Sequence, residues 1–124
     1  MTPEVLTFLS AHPGRIAVFE AVETQIAALG ESQMAVGKSQ ISWGNPLKFA
    51  FLSLPRFPAP DGALTLTFGL GHRLDHPRIA QAVEPYPNRW THHVLLAAPV
   101  DVDGTVAEFL RQSYEFSQAK RRRR

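Results

Sequence analysis

The strand-like segments of this sequence follow one another across its middle with only turns and loops between them, and that order restricts how they can pair. A parallel pair needs a crossover of about a dozen residues or more, usually a helix, whereas antiparallel neighbours need only a turn. Residues Ala63 to Leu70 alternate most cleanly, with Leu64, Leu66, Phe68 and Leu70 pointing one way and Thr65 and Thr67 the other. Ser39 to Trp43 also alternates, ahead of the turn residues Gly44, Asn45 and Pro46. Leu47 to Leu54 is rich in Phe and Leu, and Trp90 to Ala98 runs as far as Pro99. Pro55, Pro58, Pro60, Asp61 and Gly62 make a loop, because their prolines cannot sit in a central strand. His72 to Asn88 is irregular, and within it Pro77 to Val83 reads as a short helix.

Helical periods bracket these strands. Thr2, Pro3 and Glu4 form a helix start: a hydroxyl cap, a proline whose missing N–H costs nothing, and an acid near the positive end. From about Gly14 to Leu29, Ile16, Phe19, Val22, Ile26 and Leu29 fall on one stripe, and Gly30 is placed for a C-terminal cap. Asp101 and Asp103 offer capping oxygens to a last helix that carries Val106, Phe109, Leu110, Tyr114 and Ser117 and ends near Gln118. Apolar stripes must be buried on the sheet. The expected fold is therefore α+β: a single antiparallel sheet of four to five strands, with N-terminal helices and a C-terminal helix packed on one face. The other face is left open or only partly covered.

A chain of 124 residues, 44% hydrophobic and 19% charged, has the size and composition of one globular domain. The absence of cysteine excludes a disulfide framework, a thiolate zinc site and a cysteine nucleophile. No apolar run is long enough to span a membrane, and no basic region precedes an apolar run at the N-terminus, so a cytoplasmic protein is expected. The net charge of +2 conceals a division. Thirteen basic residues less Lys120, Arg121, Arg122, Arg123 and Arg124 leave eight, against eleven acidic, so residues 1–119 carry a net −3. The plain reading of that block is a solvated tail at 120–124 that adds little to folding. The functional reading is an electrostatic hook for nucleic acid or another polyanion.

Several segments occur in an order that resembles a known family. They are Lys38-Ser39-Gln40-Ile41, the strand around Phe49, Asp75-His76-Pro77-Arg78-Ile79, and Arg89-Trp90-Thr91-His92-His93-Val94. Val102-Asp103 leading to Phe109-Leu110 and Ser113-Tyr114-Glu115 completes the set. Together, from about Ile16 to Ser117, they are similar to the DUF5655 family, a small bacterial domain of unknown function. Some relatives carry a cysteine-rich zinc-ribbon segment ahead of this domain, and any role of that segment does not transfer to a chain without cysteine. The resemblance implies an architecture and no chemistry.

The residues themselves give little support to catalysis. His92 and His93 are adjacent in a strand, so their rings point to opposite faces and cannot share a metal. Val94 and Leu96 make the better core pair, which puts His93 on the open face. His72 and His76 have helical spacing but lie between Gly71 and Pro77, in a loop. There is no Gly-x-Ser-x-Gly elbow, and Gly69-Leu70-Gly71 is a lone Gly-x-Gly without a following glycine pattern. No catalytic residue, cofactor or metal is assigned. What stands out is a polar, cationic sheet face. If Ile41 and Trp43 face the helices, Lys38, Gln40 and Ser42 face away, as do Thr65, Thr67 and His93. Arg78 closes the patch from a loop, and Lys48 joins it if Leu47, Phe49 and Phe51 are the buried set. The expected function is a non-catalytic binding module for an anionic ligand, nucleic acid or protein partner, acting as monomer or homodimer without a membrane. The alternative is a small enzyme using His93 as acid–base, with Lys38 or Arg78 holding an anion.

Overall fold

Helix α1, Pro3–Ser10, starts as its sequence dictates, with Thr2 Oγ1 accepting the Val5 N–H at 3.4 Å and Pro3 in the first turn. Helix α2 follows at Arg15–Ala27 and ends before Gly30, whose φ of 143° suits only glycine. A side chain there would also collide with the Tyr114 hydroxyl, 2.8 Å from the position of its Cβ. Six strands come next: β1 Gln33–Val36, β2 Gln40–Gly44, β3 Lys48–Ser53, β4 Leu64–Leu70, β5 Ile79–Tyr86 and β6 Arg89–Leu96. A short 3-10 turn, Pro99–Asp101, leads into helix α3, Gly104–Arg122. Asp103 caps α3 by accepting the Val106 N–H at 3.1 Å, and Asp101 accepts the N–H groups of Ala97 and Ala98. The computed structural model describes residues 1–122.

The strands form one antiparallel sheet in the order β1-β2-β3-β4-β6-β5. There are six strands rather than four or five, and two of them account for the difference. β1 is a short edge strand that the sequence pattern does not announce. β5 occupies the stretch that reads as a short helix. Its partner is β6, reached through a tight turn with Pro87 and Asn88 at the centre, Asn88 having a φ of 64°. Proline followed by an asparagine at positive φ is type II turn chemistry. An edge strand, paired on one side only, also tolerates Pro85, which lies at a register irregularity.

One face of the sheet carries the core. Ile41, Trp43, Ala50, Leu52, Leu64, Leu66, Phe68, Val94 and Leu96 are buried there beneath Val5, Phe8, Val18, Val22, Ile26, Phe109 and Leu110 from the helices. Ile16, expected on the α2 stripe, is 48% exposed, and Val18 takes the inner position instead. The register pairs the inward side chains across strands: Ile41 with Leu52, Leu52 with Leu66, Leu66 with Val94. A bulge breaks the alternation in β3. Trp43 pairs with Ala50 and Gly44 with Lys48, so Phe49 is an extra residue. Its ring lies edge-on to Tyr114 of α3 at 5.1 Å, on the helix side. The bulge also leaves the Phe49 carbonyl and the Gly69 N–H without each other. Ser113 of α3 bridges them, donating to Phe49 O at 2.7 Å and accepting from Gly69 N at 3.1 Å.

The last helix does not end near Gln118 as expected. Helix α3 runs on through Lys120 to Arg122, because cations at a helix C-terminus interact favourably with the unpaired carbonyls there. Arg123 and Arg124 lie outside the described residues. No helix among the described residues is long and apolar enough to cross a membrane.

Candidate functional site

The sheet face turned away from the helices is polar, and the register brings its side chains into two rows. Gln40, Ser53 and Thr65 are successive cross-strand partners, as are Phe51, Thr67, His93 and Gln81. The loop between β3 and β4 contributes Leu54, Arg56 and Phe57, and together these residues enclose a cavity of about 340 Å³. Pro55, Pro58 and Pro60 restrict that loop's backbone. Phe57 approaches the His93 ring at 6.2 Å between centroids, inclined at 60°.

His93 Nδ1 and Thr67 Oγ1 are hydrogen-bonded at 2.9 Å. Nε2 has no protein partner among the described residues. Burial, and then the nearby positive charge of Arg56, hold the imidazole pKa below its ordinary value of 6.5. The ring is therefore neutral at pH 7, and the charge of the site is that of Arg56. Thr65 is 3% exposed and its hydroxyl has no hydrogen-bond partner. No carboxylate lines the cavity. It combines one guanidinium with neutral hydroxyl, amide and imidazole groups, a set that can hydrogen-bond and neutralise a small oxyanion. Among the described residues, no group of three or more His, Asp or Glu side chains is arranged to hold a metal.

Gln40, Thr65, Thr67 and His93 are thus brought together as the strand alternation requires. Lys38, Lys48 and Arg78 are not. Arg78 immediately precedes β5, and its guanidinium reaches across to the residues ahead of α3, bonding Asp103 Oδ2 at 2.9 Å and the Asp101 carbonyl at 2.8 Å. That pairing, with a carboxylate and a carbonyl both in reach, removes it from the open face. Lys48 belongs to the patch only if Leu47, Phe49 and Phe51 are buried together. The Phe49 bulge overturns this: Ala50 and Leu52 point inward and Phe51 lines the cavity. Lys48 stands at the other end of β3. Lys38, in the β1–β2 turn, lines a neighbouring groove of about 630 Å³ that shares Ser53, Leu54 and Arg56 with the cavity. Lys38, Lys48, Arg78 and His93 therefore do not form one site.

Sequence reasoning misses Arg56, Phe57 and Gln81. Gln81 lies in the segment that reads as helix. Arg56 and Phe57 lie in a loop, and a proline-rich loop gives no register from which to place a side chain. The second histidine serves the core. His92 is 0% exposed, stacks on Phe68 at 5.0 Å, and its Nε2 accepts the Leu74 N–H at 2.9 Å. That bond ties down the segment crossing from β4 to the edge strand β5. Burial lowers the His92 pKa as well, against a smaller opposing effect of the Phe68 carbonyl.

The sequence matches one family, described as a domain of unknown function (DUF5655), over residues 7–117. No curated protein and no solved structure matches the chain.

Proposed function

Since the chain belongs to the DUF5655 family, whose description names no chemistry, we propose from the cavity alone that it is a non-catalytic binding module for a small anion bearing carboxylate or phosphate oxygens. The observation that carries this reading is the composition of the cavity wall: a guanidinium, hydroxyls, amides and an imidazole, with no carboxylate. In this reading Arg56 supplies the charge and can meet two oxygens at once. Gln40, Thr67 and His93 supply directional hydrogen bonds, and Phe51 and Phe57 exclude water from one side. A second reading, supported by the lowered His93 pKa, makes His93 a base near neutrality acting on a ligand held by Arg56. Turnover of a bound compound separates the two.

The test is thermal unfolding at low salt with inorganic phosphate, citrate and acetate, each titrated into wild type and Arg56→Gln. An anion that binds only the folded state stabilises it by mass action, by about 2.7 kcal/mol at one hundred times its Kd. Wild type should gain stability with at least one of the three, Arg56→Gln should lose that gain, and Arg78→Gln should keep it. If none of the anions stabilises wild type, or if Arg56→Gln responds equally, the reading fails.

A further inference from the structure

The basic side chains sort into those that are satisfied within the protein and those that are not. Arg73 pairs with Asp75, Arg78 with Asp103, and Arg111 with Glu108 and Glu115. Arg15 donates to the carbonyls of Phe8 and Gly62. Among the described side chains this leaves two groups without a carboxylate partner. Lys38 and Arg56 border the open-face cavity and its groove. Lys48, Arg89 and Lys120 meet at the opposite end of the sheet, where β3 and β6 begin and β5 ends.

This second group is built around two aromatic rings. Lys48, Tyr86, Arg89, Phe116 and Lys120 line one cleft of about 170 Å³. A second, of about 480 Å³, also uses Tyr86, Phe116 and Lys120. The Lys120 ammonium lies 5.5 Å from the centre of the Tyr86 ring, and the Arg89 guanidinium 5.9 Å from that of Phe116. Two glycines make room for these groups. A Cβ on Gly69 would fall onto the Arg89 guanidinium, and one on Gly71 would come within 3.0 Å of the Phe116 ring. Tyr86 is 53% exposed. The acids beside these residues in sequence are engaged elsewhere: Glu84 accepts the Asn88 N–H, Glu115 pairs with Arg111, and neither lines a cleft. In sequence, Lys120 is followed by Arg121, Arg122, Arg123 and Arg124. A chain whose first 119 residues are net negative thus gathers three cations without a carboxylate partner, Lys48, Arg89 and Lys120, around an exposed aromatic ring.

We propose that this end of the domain binds single-stranded nucleic acid, with backbone phosphates on Lys48, Arg89 and Lys120 and a base stacked against Tyr86. Cations alone would serve any polyanion. The exposed ring set among them favours an unpaired base, which offers a flat surface to stack on. The site is separate from the open-face cavity and does not depend on it.

The test is fluorescence anisotropy of a labelled oligo-dT and an oligo-U with the full chain, across about 50 to 200 mM salt. Binding to at least one strand is expected, weakening as salt rises. Lys48→Gln with Arg89→Gln should weaken it and reduce the slope of log K against log salt by about 1.4, near 0.7 for each phosphate no longer neutralised. Tyr86→Ala should weaken binding about tenfold without changing that slope, and Tyr86→Phe should restore it. Lys38→Gln should bind as wild type does. Tyr86 and Lys48 are exposed, and circular dichroism melts of each variant verify folding. The proposal is overturned if neither strand binds at the lowest salt. It is equally overturned if these variants bind unchanged and only replacement of Arg121–Arg124 matters, or if anionic phosphatidylserine vesicles bind well and oligonucleotides do not.

Discussion

Replacing Ser113 by alanine tests how the sheet is held where its own pairing stops. The Phe49 bulge leaves a carbonyl and an amide of adjacent strands facing a gap, and the Ser113 hydroxyl fills it, at 2.7 Å from one and 3.1 Å from the other. Ser113 is 1% exposed, so water does not readily take its place. Leaving a buried polar group unpaired costs about 1–3 kcal/mol, and two are exposed to that fate. Alanine returns about 0.5 kcal/mol through its higher helix propensity. The net expectation is a loss of about 1.5–5.5 kcal/mol, which at about 4 °C per kcal/mol for a domain of this size is about 6–22 °C in Tm. Urea and thermal unfolding by circular dichroism measure it, and hydrogen exchange should show the Gly69 amide losing protection. Ser10→Ala is the control, because the Ser10 hydroxyl is exposed and bonds only carbonyls of its own helix. It should change stability by less than about 0.5 kcal/mol. A Ser113→Ala loss as small as that of the control would refute the bridging account.

Thr65→Val removes a buried hydroxyl that has no partner and keeps the side-chain shape, so it should leave stability unchanged or raise it by about 1 kcal/mol. A loss of more than about 1 kcal/mol in urea unfolding would mean that the hydroxyl is satisfied after all. His92 and His93 both titrate below their ordinary value in the folded state, so the unfolded chain takes up protons first as the pH falls. Their contribution is whole above about pH 6.5 and is lost progressively below it, by up to about 1.4 kcal/mol per pH unit for each. His92→Gln should flatten that acid limb in denaturant titrations; an unchanged limb would show that His92 is already protonated when folded.

The parts that can be read from sequence are those in which side-chain period and burial agree. Thr65, Thr67 and His93 fall on one face because the alternation of Leu64, Leu66 and Phe68 is unbroken and Val94 and Leu96 repeat it on β6. The reading of β3 fails where alternation fails: one extra residue at Phe49 turns Phe51 outward and detaches Lys48 from the site. β5 is hidden because its prolines suggest a break, although Pro87 and Asn88 carry the turn that makes the hairpin. Arg78 is a matter of partner choice. Nothing local in Pro77-Arg78-Ile79 tells that Asp103, 25 residues on, will take it. Arg56 has the same origin on a loop, with the opposite result: among the described residues no acid pairs with it, and it becomes the charge of the cavity.

The most direct measurement of the central claim is the proton titration of His93 followed by NMR, in wild type and Arg56→Gln, with and without inorganic phosphate, citrate or acetate. The free protein should titrate below 6.5, and Arg56→Gln should titrate higher, since part of the lowering comes from the guanidinium. An anion bound beside the ring favours the imidazolium, so it should raise the wild-type pKa and bind more tightly as the pH falls through it. It should leave Arg56→Gln unmoved. A His93 titration that is the same with and without all three anions, or that shifts equally in Arg56→Gln, would contradict an anion site in the cavity.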